Sequence, residues 1–344
     1  MLYGIQASQS VVLTKIGRTL QEETSIKKVQ ERLSRQLARR ALGRKMQENL
    51  LRMAAGHIGR DTLLILDPTD LRKKYAKKMQ YLSCIRDGSD KELGNGYWVC
   101  KVVAAEVEGE SMIPLVSRLY SSIAPGHVSE NEEILGVMDM VSEAVKNRGI
   151  WVLDRGGDRR NLLEPMLERK CRFLVRLVGN RTLIWNRQGM LASEIAKGCQ
   201  LPYAETLVKV EGGKEKVYHL EFGFREVRLP GRTEALGMLV VKGFGREPMM
   251  LLTTEPLRRS RKVLWRLIRA YMRRWAIEET IRFIKQSYDI EDVRVLGYRS
   301  LQNLMVLVLA ASYFAAVVLD RGAKLRVMAG YVLYSGYRIF TIMQ

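Results

Sequence analysis

Histidine is scarce in this 344-residue chain, with three copies, His57, His127 and His219. Cysteine is nearly as rare: Cys84, Cys100, Cys171 and Cys199 lie far apart and form no Cys-x-x-Cys pair. That argues against a zinc ribbon and against a disulfide scaffold, and makes a reducing cytoplasm the expected setting. With so few imidazoles and thiolates, a metal site must lean on carboxylates, which suits hard cations such as Mg²⁺ or Mn²⁺. Long apolar runs are missing too. The longest, Leu304 to Leu319, has 16 residues and contains Ser312 and Tyr313. A bilayer crossing needs roughly 20, so a buried core helix and no membrane partner are expected. The opening MLYGIQASQS has no basic start followed by an apolar stretch, so no secretion signal is expected either.

Acidic residues are also in short supply. Lys and Arg number 57 against 37 Asp and Glu, a net charge of +20 with a pI near 9.9. A field of that sign attracts polyanions, of which nucleic acid is the usual one. Ribosomal and membrane-surface proteins can be equally basic, so charge alone says nothing about catalysis. At 47% hydrophobic and 27% charged, the chain can bury a sizeable core and is not disordered.

Residues 1–60 carry twelve Lys and Arg against four Glu. From Ile26, apolar residues fall at helical spacing: Ile26, Val29, Leu33 and Leu37, then Met46, Leu50 and Met53. Thr24 or Ser25 can cap the start and Gly56 the end. This predicts a short helical, basic N-terminal region, either packed on the main body or gripping DNA through residues such as Arg35, Arg39 and Arg40. The pattern then turns to β. Thr62 to Leu66 is a short apolar run, and Asp67-Pro68 is expected to stop it. A basic loop, Lys73 to Lys78, and a Gly-rich stretch to Gly96 follow. Tyr97–Val107 and Met112–Leu119 read as two strands of a meander. Glu130–Arg148 reads as a helix with Ile134, Val137, Val141 and Val145 on one face, ended by Gly149. Ile150–Leu153 is a strand ending on Asp154, followed by a helix, Arg159–Lys170, and a strand, Arg172–Leu177. Three strands, helix, strand, helix, strand make a mixed α/β layer. Residues 179–256 are β-rich and look like an insertion rather than more of the same layer. Helices resume from Leu257 to about Tyr288 and from Ser300 to Asp320. The expected divisions are 1–60, 61–178, 179–256 and 257–344.

Asp67 and Asp154 each follow an apolar strand, where chemistry-bearing groups of open sheets are held rigidly. A turn-forming Asp is common there as well. The segment YMRRWAIEETIRFIK adds Tyr271, Arg274, Glu278 and Lys285, which a helix gathers into an arc of about 60°. Arg282 and Trp275 fall beside them, and Ala270, Ile277, Ile281 and Ile284 form the adjoining apolar face. An i,i+4 salt bridge explains Arg274 with Glu278. It leaves unexplained why Leu257–Lys285 holds ten Lys and Arg against two Glu, which repel one another unless an anion such as a phosphate backbone is near. Phosphodiester chemistry by two divalent ions needs several carboxylates at one point, from separate segments of chain. Together the carboxylates would repel, a cost that neighbouring cations relieve.

The pattern Y-x2-R-x3-E-x6-K, matched by Tyr271, Arg274, Glu278 and Lys285, resembles the third motif of the DDE insertion-sequence transposases of the insertion-sequence-four-like group. Leu66-Asp67-Pro68-Thr69 resembles that group's first motif, and Asp154-Arg155-Gly156 its second. The three stand in the right order over about residues 62–320, with a β-rich insertion between the second and third. The resemblance implies a ribonuclease-H-like mixed sheet with flanking helices, and two Mg²⁺ or Mn²⁺ ions held by Asp67, Asp154 and Glu278. It implies that Tyr271, Arg274 and Lys285 hold phosphates at the cleaved end, with Trp275 either stacking on a base or sitting in the core. Its partners would be the terminal inverted repeats of a DNA element, target DNA, and a second copy of the chain. About 60 residues is short for the group's DNA-binding region. The rival readings are a nuclease of the same fold without a joining step, and a non-catalytic DNA-binding descendant of a transposase, against which the intact trio argues. Asp70 and Asp158 are near-misses for the two aspartates.

Overall fold

The computed structural model describes residues 1–39, 42–86, 92–109, 112–211, 214–293 and 295–318; of 209–211, 214, 276–287 and 318 it describes the backbone alone. The chain forms two compact units. The first contains residues 1–62, 66–148 and the chain from Ile277 through the last described helix; the second contains 63–65 and 149–276.

The first unit begins with four helices, α1 (Leu2–Ser8), α2 (Leu13–Leu20), α3 (Ile26–Leu37) and α4 (Leu42–Ala54). The first two have no periodic signal long enough to read, since each spans only about two turns. Val29, Leu33 and Leu37 of α3 are buried as their spacing predicts, while Ile26 is exposed. On α4 the buried face is Gly43, Gln47, Leu50, Leu51 and Ala54, and Met53 points outward. The face turns because α4 is seated through Gly43. Its N–H donates to Asn303 Oδ1 at 2.9 Å, and a Cβ there would come within 2.5 Å of that oxygen. The Asn303 amide donates in turn to the carbonyls of Leu37 (2.6 Å) and Arg39 (2.9 Å), where the last carbonyls of α3 lack helical partners. Asn303 lies on α9 (Tyr298–Tyr313), which packs on α1, α3, α4 and β4 and continues as a π-turn over Phe314–Val318. The helix Tyr298–Val317 is long and apolar enough to cross a membrane by length and composition, and 72% of its apolar window is buried inside the protein. It is a core helix.

The sheet begins with β1 (Leu63–Arg72), β2 (Ser83–Arg86), β3 (Leu93–Ala105) and β4 (Met112–Tyr120). Helix α5 (Glu130–Ala144) follows, with Ile134, Val137 and Val141 buried. Ser129 caps it by accepting the Glu132 N–H at 3.2 Å, and Glu130, Glu132 and Glu133 meet the positive end of its dipole. Gly149, at φ +96°, takes the left-handed conformation that returns the chain to β5 (Ile150–Leu153); α6 (Arg160–Glu168) and β6 (Phe173–Arg176) follow. Strand β3 neighbours β1 and pairs antiparallel with β2 and β4. Strands β1, β5 and β6 run parallel. This order of meander and parallel crossovers, with helices between, is a ribonuclease-H-like mixed sheet.

Two expectations need correction. Pro68 does not stop β1, which runs four residues beyond it. The β1–β5 ladder ends at Ile65–Val152, so the missing N–H of Pro68 interrupts no rung on that side. Nor is the β-rich stretch a separate layer. After a small hairpin, β7 (Thr182–Trp185) and β8 (Gln188–Leu191), and a short helix α7 (Ala192–Lys197), come β9 (Tyr203–Glu211), β10 (Lys214–Val227), β11 (Leu236–Lys242) and β12 (Met249–Thr253). Strand β12 pairs antiparallel with β6, Leu252 opposite Val175, so β12, β11, β10 and β9 extend the same sheet. A hydrogen-bonding edge of β6 that would otherwise be open is thereby covered. The long helix α8 (Arg261–Ser287) follows.

Asn303→Ala removes the acceptor of the Gly43 N–H and the side-chain donor to the Leu37 and Arg39 carbonyls, and should cost about 2–3 kcal/mol. The check is a lowered urea midpoint at unchanged slope; a midpoint equal to wild type would show that the Asn303 contacts contribute nothing.

Candidate active site

Asp67 is held by four preceding residues, Leu63 to Leu66, all buried to 1% exposure or less, and is itself half-buried. Strand alternation puts Thr69 on the same face as Asp67 and Asp70 on the opposite one, which separates the near-miss from the candidate. On β3, burial first and then the Asp67 carboxylate push the Cys100 thiol up, against the lowering effect of Arg118; Cys100 is an inert core thiol.

Asp154 follows β5, whose four residues are also buried. One carboxylate oxygen, Oδ1, accepts the Gly156 N–H at 2.8 Å and caps the single 3₁₀ turn Arg155–Gly157. The two glycines of this turn have separate reasons. A Cβ on Gly156 would press against Asp154 Oδ1 at 2.9 Å, and one on Gly157 would meet Leu153 Cβ at 2.6 Å. Asp154 Oδ2 has no hydrogen-bond partner among the described residues, so that oxygen remains open to a cation. Asp158, four residues on, is committed elsewhere. Its carboxylate accepts the Val178 N–H and Arg181 Nε, both at 2.6 Å, and its side chain is 1% exposed. It ties the end of β6 to the chain leading into β7, which makes it a structural acid.

Both aspartates stand two residues past the last registered pair of parallel strands, Ile65 and Val152. The third candidate, Glu278, lies on α8, but its side chain and those of Arg282 and Lys285 are outside the described residues, as are Ile277, Ile281 and Ile284. Arg40 is outside them too, while Arg35 and Arg39 are exposed on and just after α3. Among the described residues no three metal-capable side chains cluster. Higher on α8, Tyr271 is fully buried and Arg274 is 4% exposed. The Arg274 guanidinium lies 5.4 Å from the Tyr271 ring centroid, within cation–π range. Trp275 is half-buried, edge-on to Tyr271 at 5.9 Å and to Phe244 at 5.3 Å. Tyr271 therefore sits on the packed side of α8 with Leu264, Leu267 and Ile268, and its hydroxyl finds no hydrogen-bond partner among the described residues.

The residue that sequence reasoning missed is Lys73. Within the expected basic loop, Lys74, Lys77 and Lys78 are exposed, but Lys73 is 2% exposed. Its ammonium donates to the carbonyls of Ile290, Glu291 (3.0 Å) and Val293 (2.9 Å), just past the end of α8. Asp289, at φ +53°, turns the chain there and takes Ser10 Oγ and Lys15 Nζ, both at 2.9 Å. The Val11 N–H meets the Tyr288 carbonyl at 3.0 Å. No signal in the sequence separates Lys73 from its neighbours, because only its partners, more than 200 residues away, make it different.

Burial lowers the Lys73 pKa from 10.5 to about 8, against the raising effect of Glu291 and Asp292. The unfolded chain thus holds more protons between those values, so this group's contribution to stability is lowest below pH 8 and rises toward pH 10.5. Unfolding free energies of wild type and Lys73→Met between pH 7 and 10 check this. Their difference should widen as pH rises, and a difference independent of pH would contradict it.

Residues 58–314, about three-quarters of the chain, match the family profile of the transposase DDE domain. Curated protein sequences give no match. Among solved structures, the chain is similar to the piggyBac transposase in a cryo-EM synaptic complex with hairpin DNA, at 10% identity and a TM-score of 0.43. That similarity covers 78% of this chain and 51% of the other, so the chain spans about half the piggyBac chain. It is also similar to the NurA nuclease from Sulfolobus solfataricus, at 8% identity and a TM-score of 0.30, covering 86% of this chain and 94% of that one. Both likenesses are remote, and the assignment rests on the family profile with its 257-residue span over β1 to α9: the chain belongs to the family of proteins built on the transposase DDE domain.

Proposed function

We propose that this chain is a transposase of the insertion-sequence-four-like group, which cuts DNA at the ends of an element and joins the freed 3′ ends to target DNA. The observation that carries the reading is the equal offset of Asp67 and Asp154 past the last rung of the parallel β1–β5 pair, with Glu278 following on α8. Parallel register sets Ile65 beside Val152, and each aspartate follows its own strand residue by two positions. Asp67, Asp154 and Glu278 would hold two Mg²⁺ or Mn²⁺ ions. The open Asp154 oxygen and the all-oxygen donor set suit hard cations. Bound there, such ions would supply Lewis-acid activation of the attacking and leaving oxygens.

In the first step a water oxygen bonds to phosphorus at the element end and the 3′ oxygen leaves, taking a proton to become a 3′-OH. In the second, the oxygen of that 3′-OH bonds to a target phosphorus and the target's own 3′ oxygen leaves, the proton given up by the attacking hydroxyl ending on the oxygen that leaves. The protein's own share is positioning. The buried strands hold the two aspartates rigid, and Arg274, ordered against Tyr271, offers a guanidinium of fixed orientation for a phosphate. Lys285 and Arg282 add charge along the same helix, and Trp275 buttresses it. Arg35, Arg39 and Arg40, in the N-terminal helical region of residues 1–60, would grip DNA farther from the cut. The substrates are the inverted repeats of the element and target DNA in the cytoplasm, with two copies of the chain pairing two ends.

Asp154→Asn and Glu278→Gln keep shape but remove ligand charge. Cleavage of an end-containing duplex should fall by more than the roughly 10–100-fold that even an outer-shell partner costs, while DNA binding survives. Full cleavage by either variant would falsify the assignment, and cleavage with no strand-transfer product would favour the nuclease reading.

Lys285→Ala should lower the cleavage rate at saturating DNA more than it lowers end affinity. Neutralising Arg35, Arg39 and Arg40 together should do the reverse and flatten the salt dependence of binding. Equal losses of rate and affinity in both variants would mean one continuous basic surface.

A further inference from the structure

The second unit contains a cavity of about 620 Å³, lined by the β7–β8 hairpin, the Gln200–Tyr203 segment and the Gly223–Arg228 stretch of β10. Nothing in the cutting and joining chemistry above uses it. Four arginines line it, Arg187, Arg225, Arg228 and Arg259, against one acid, Glu226. Arg187, Arg228 and Arg259 are exposed and make no ion pair among the described residues. Like charges gathered around one concavity repel unless an anion joins them.

Arg225 is held differently. Its guanidinium lies 5.4 Å from the Trp185 ring centroid, and Nη2 donates to the Gly198 carbonyl at 2.8 Å. Its Nε is buried and has no hydrogen-bond partner among the described residues. The Nη1 amino group also has no hydrogen-bond partner among the described residues and, unlike Nε, is not buried. A guanidinium fixed by stacking and by one carbonyl, with that donor unspent, is preorganised for an oxyanion.

The hairpin turn supplies a second, independent sign. Asn186 and Arg187 form a two-residue loop with φ of +49° and +65°. Turns of this kind favour glycine at the second position, because a side chain there is strained. An arginine in that place gives up backbone comfort and gains a cation on the cavity wall.

We propose that this cavity is a phosphodiester-binding cleft, in which Arg187, Arg225, Arg228 and Arg259 take the phosphate oxygens of a DNA strand while Trp185 holds Arg225 in place. The volume falls within the range of natural ligand sites, about 300–1,000 Å³. Because Arg225 covers a face of the Trp185 ring, recognition is of backbone rather than base. The inference rests on the reading of this chain as a DNA-processing protein.

The test uses the full chain and labelled DNA of arbitrary sequence, about 30 nucleotides long, as duplex and as single strand. Anisotropy titrations over a salt series compare wild type with Arg187→Gln/Arg228→Gln/Arg259→Gln and with the matching triple Lys variant. For two or three lost phosphate contacts, the slope of log affinity against log salt should shrink by about 2–3 in the Gln variant on duplex, or about 1.5–2 on single strand. The Lys variant should keep the wild-type slope. Loss on duplex alone, on single strand alone, or on both supports the cleft and assigns its strand. An unchanged slope on both overturns it.

Arg187→Gly separates binding from folding. Relief of the strained turn should raise the thermal midpoint by a few degrees while DNA affinity falls several-fold; affinity equal to wild type overturns the role given to the turn. Metal-dependent cleavage by the wild type is measured alongside. A wild type that binds through these arginines but never cleaves keeps the cleft and sinks the transposase reading, whereas intact cleavage with unaltered salt slopes sinks the cleft alone.

Discussion

The Lys73 ammonium is almost out of reach of water, with three main-chain carbonyls between Ile290 and Val293 around it, and the turn that follows α8 depends on that contact. Beyond α8 the chain must turn at Asp289, a non-glycine residue in the left-handed region, and the carbonyls of Ile290, Glu291 and Val293 that follow belong to no helix. Turn and orphaned acceptors are both costly unless something on the facing surface answers them. Lys73 supplies three N–H donors from the end of β1. Ser10 and Lys15 answer Asp289, and Val11 answers Tyr288. Strand β1 carries Asp67 and helix α8 carries Glu278, so one cluster of contacts couples the chain after the first motif to the chain after the third. The N-terminal segment takes part in that coupling directly, through Ser10, Val11 and Lys15.

A net charge of +20 has to be accommodated, and the fold does so in two distinct ways. Some cations are spent internally. Lys73 is consumed by carbonyls, Arg181 by Asp158, and Arg172 by Glu255 at 2.7 and 2.6 Å. These are buried or half-buried contacts whose removal would strand a partner, so they belong to stability. Others point outward with no ion pair among the described residues, as do Arg187, Arg228 and Arg259 at the cavity beside the β7–β8 hairpin. Surface repulsion of that kind weakens the free protein slightly and becomes useful only when a polyanion arrives. Charge count cannot distinguish the two classes; burial and partners can.

What could be read from the sequence was local. The strand–acid junction at Asp154, the buried run before Asp67, the buried face of α5 and the run of α6 into β6 all follow from patterns within a dozen residues. What escaped was non-local. Pro68 predicts the end of a strand when the ladder beside it is assumed to continue, but the β5 ladder stops first. The β-rich stretch shows strands without showing what they pair with, and only the pairing of β12 with β6 reveals one extended sheet. Met53 and Met46 share a helical face by spacing, yet the close approach of Gly43 to Asn303 turns α4 so that Met53 is left outside. Lys73 and Lys74 are the same letter side by side, and their fates are opposite.

The choice between Asp154 and Asp158 shows how such non-local contacts decide a site. Both acids follow the same buried strand, and both lie in a turn that any aspartate could stabilise. Asp158 accepts two short bonds from Val178 and Arg181 and is sealed from water; neutralising it would leave the Val178 N–H and the half-buried Arg181 Nε without their charged acceptor. Asp154 spends one oxygen on Gly156 and keeps the other open. That single bond fixes the carboxylate's direction without exhausting it, since an ionised carboxylate offers about four acceptor positions. A metal ligand needs both properties at once, rigidity and spare lone pairs. Gly156 permits the first by bringing its bare backbone against Oδ1, where a Cβ would press at 2.9 Å. The Asp-Arg-Gly order thus has a physical reason in this chain: the strand sets the acid's position, the glycine sets its orientation, and the second oxygen keeps its lone pairs free of hydrogen bonds among the described residues.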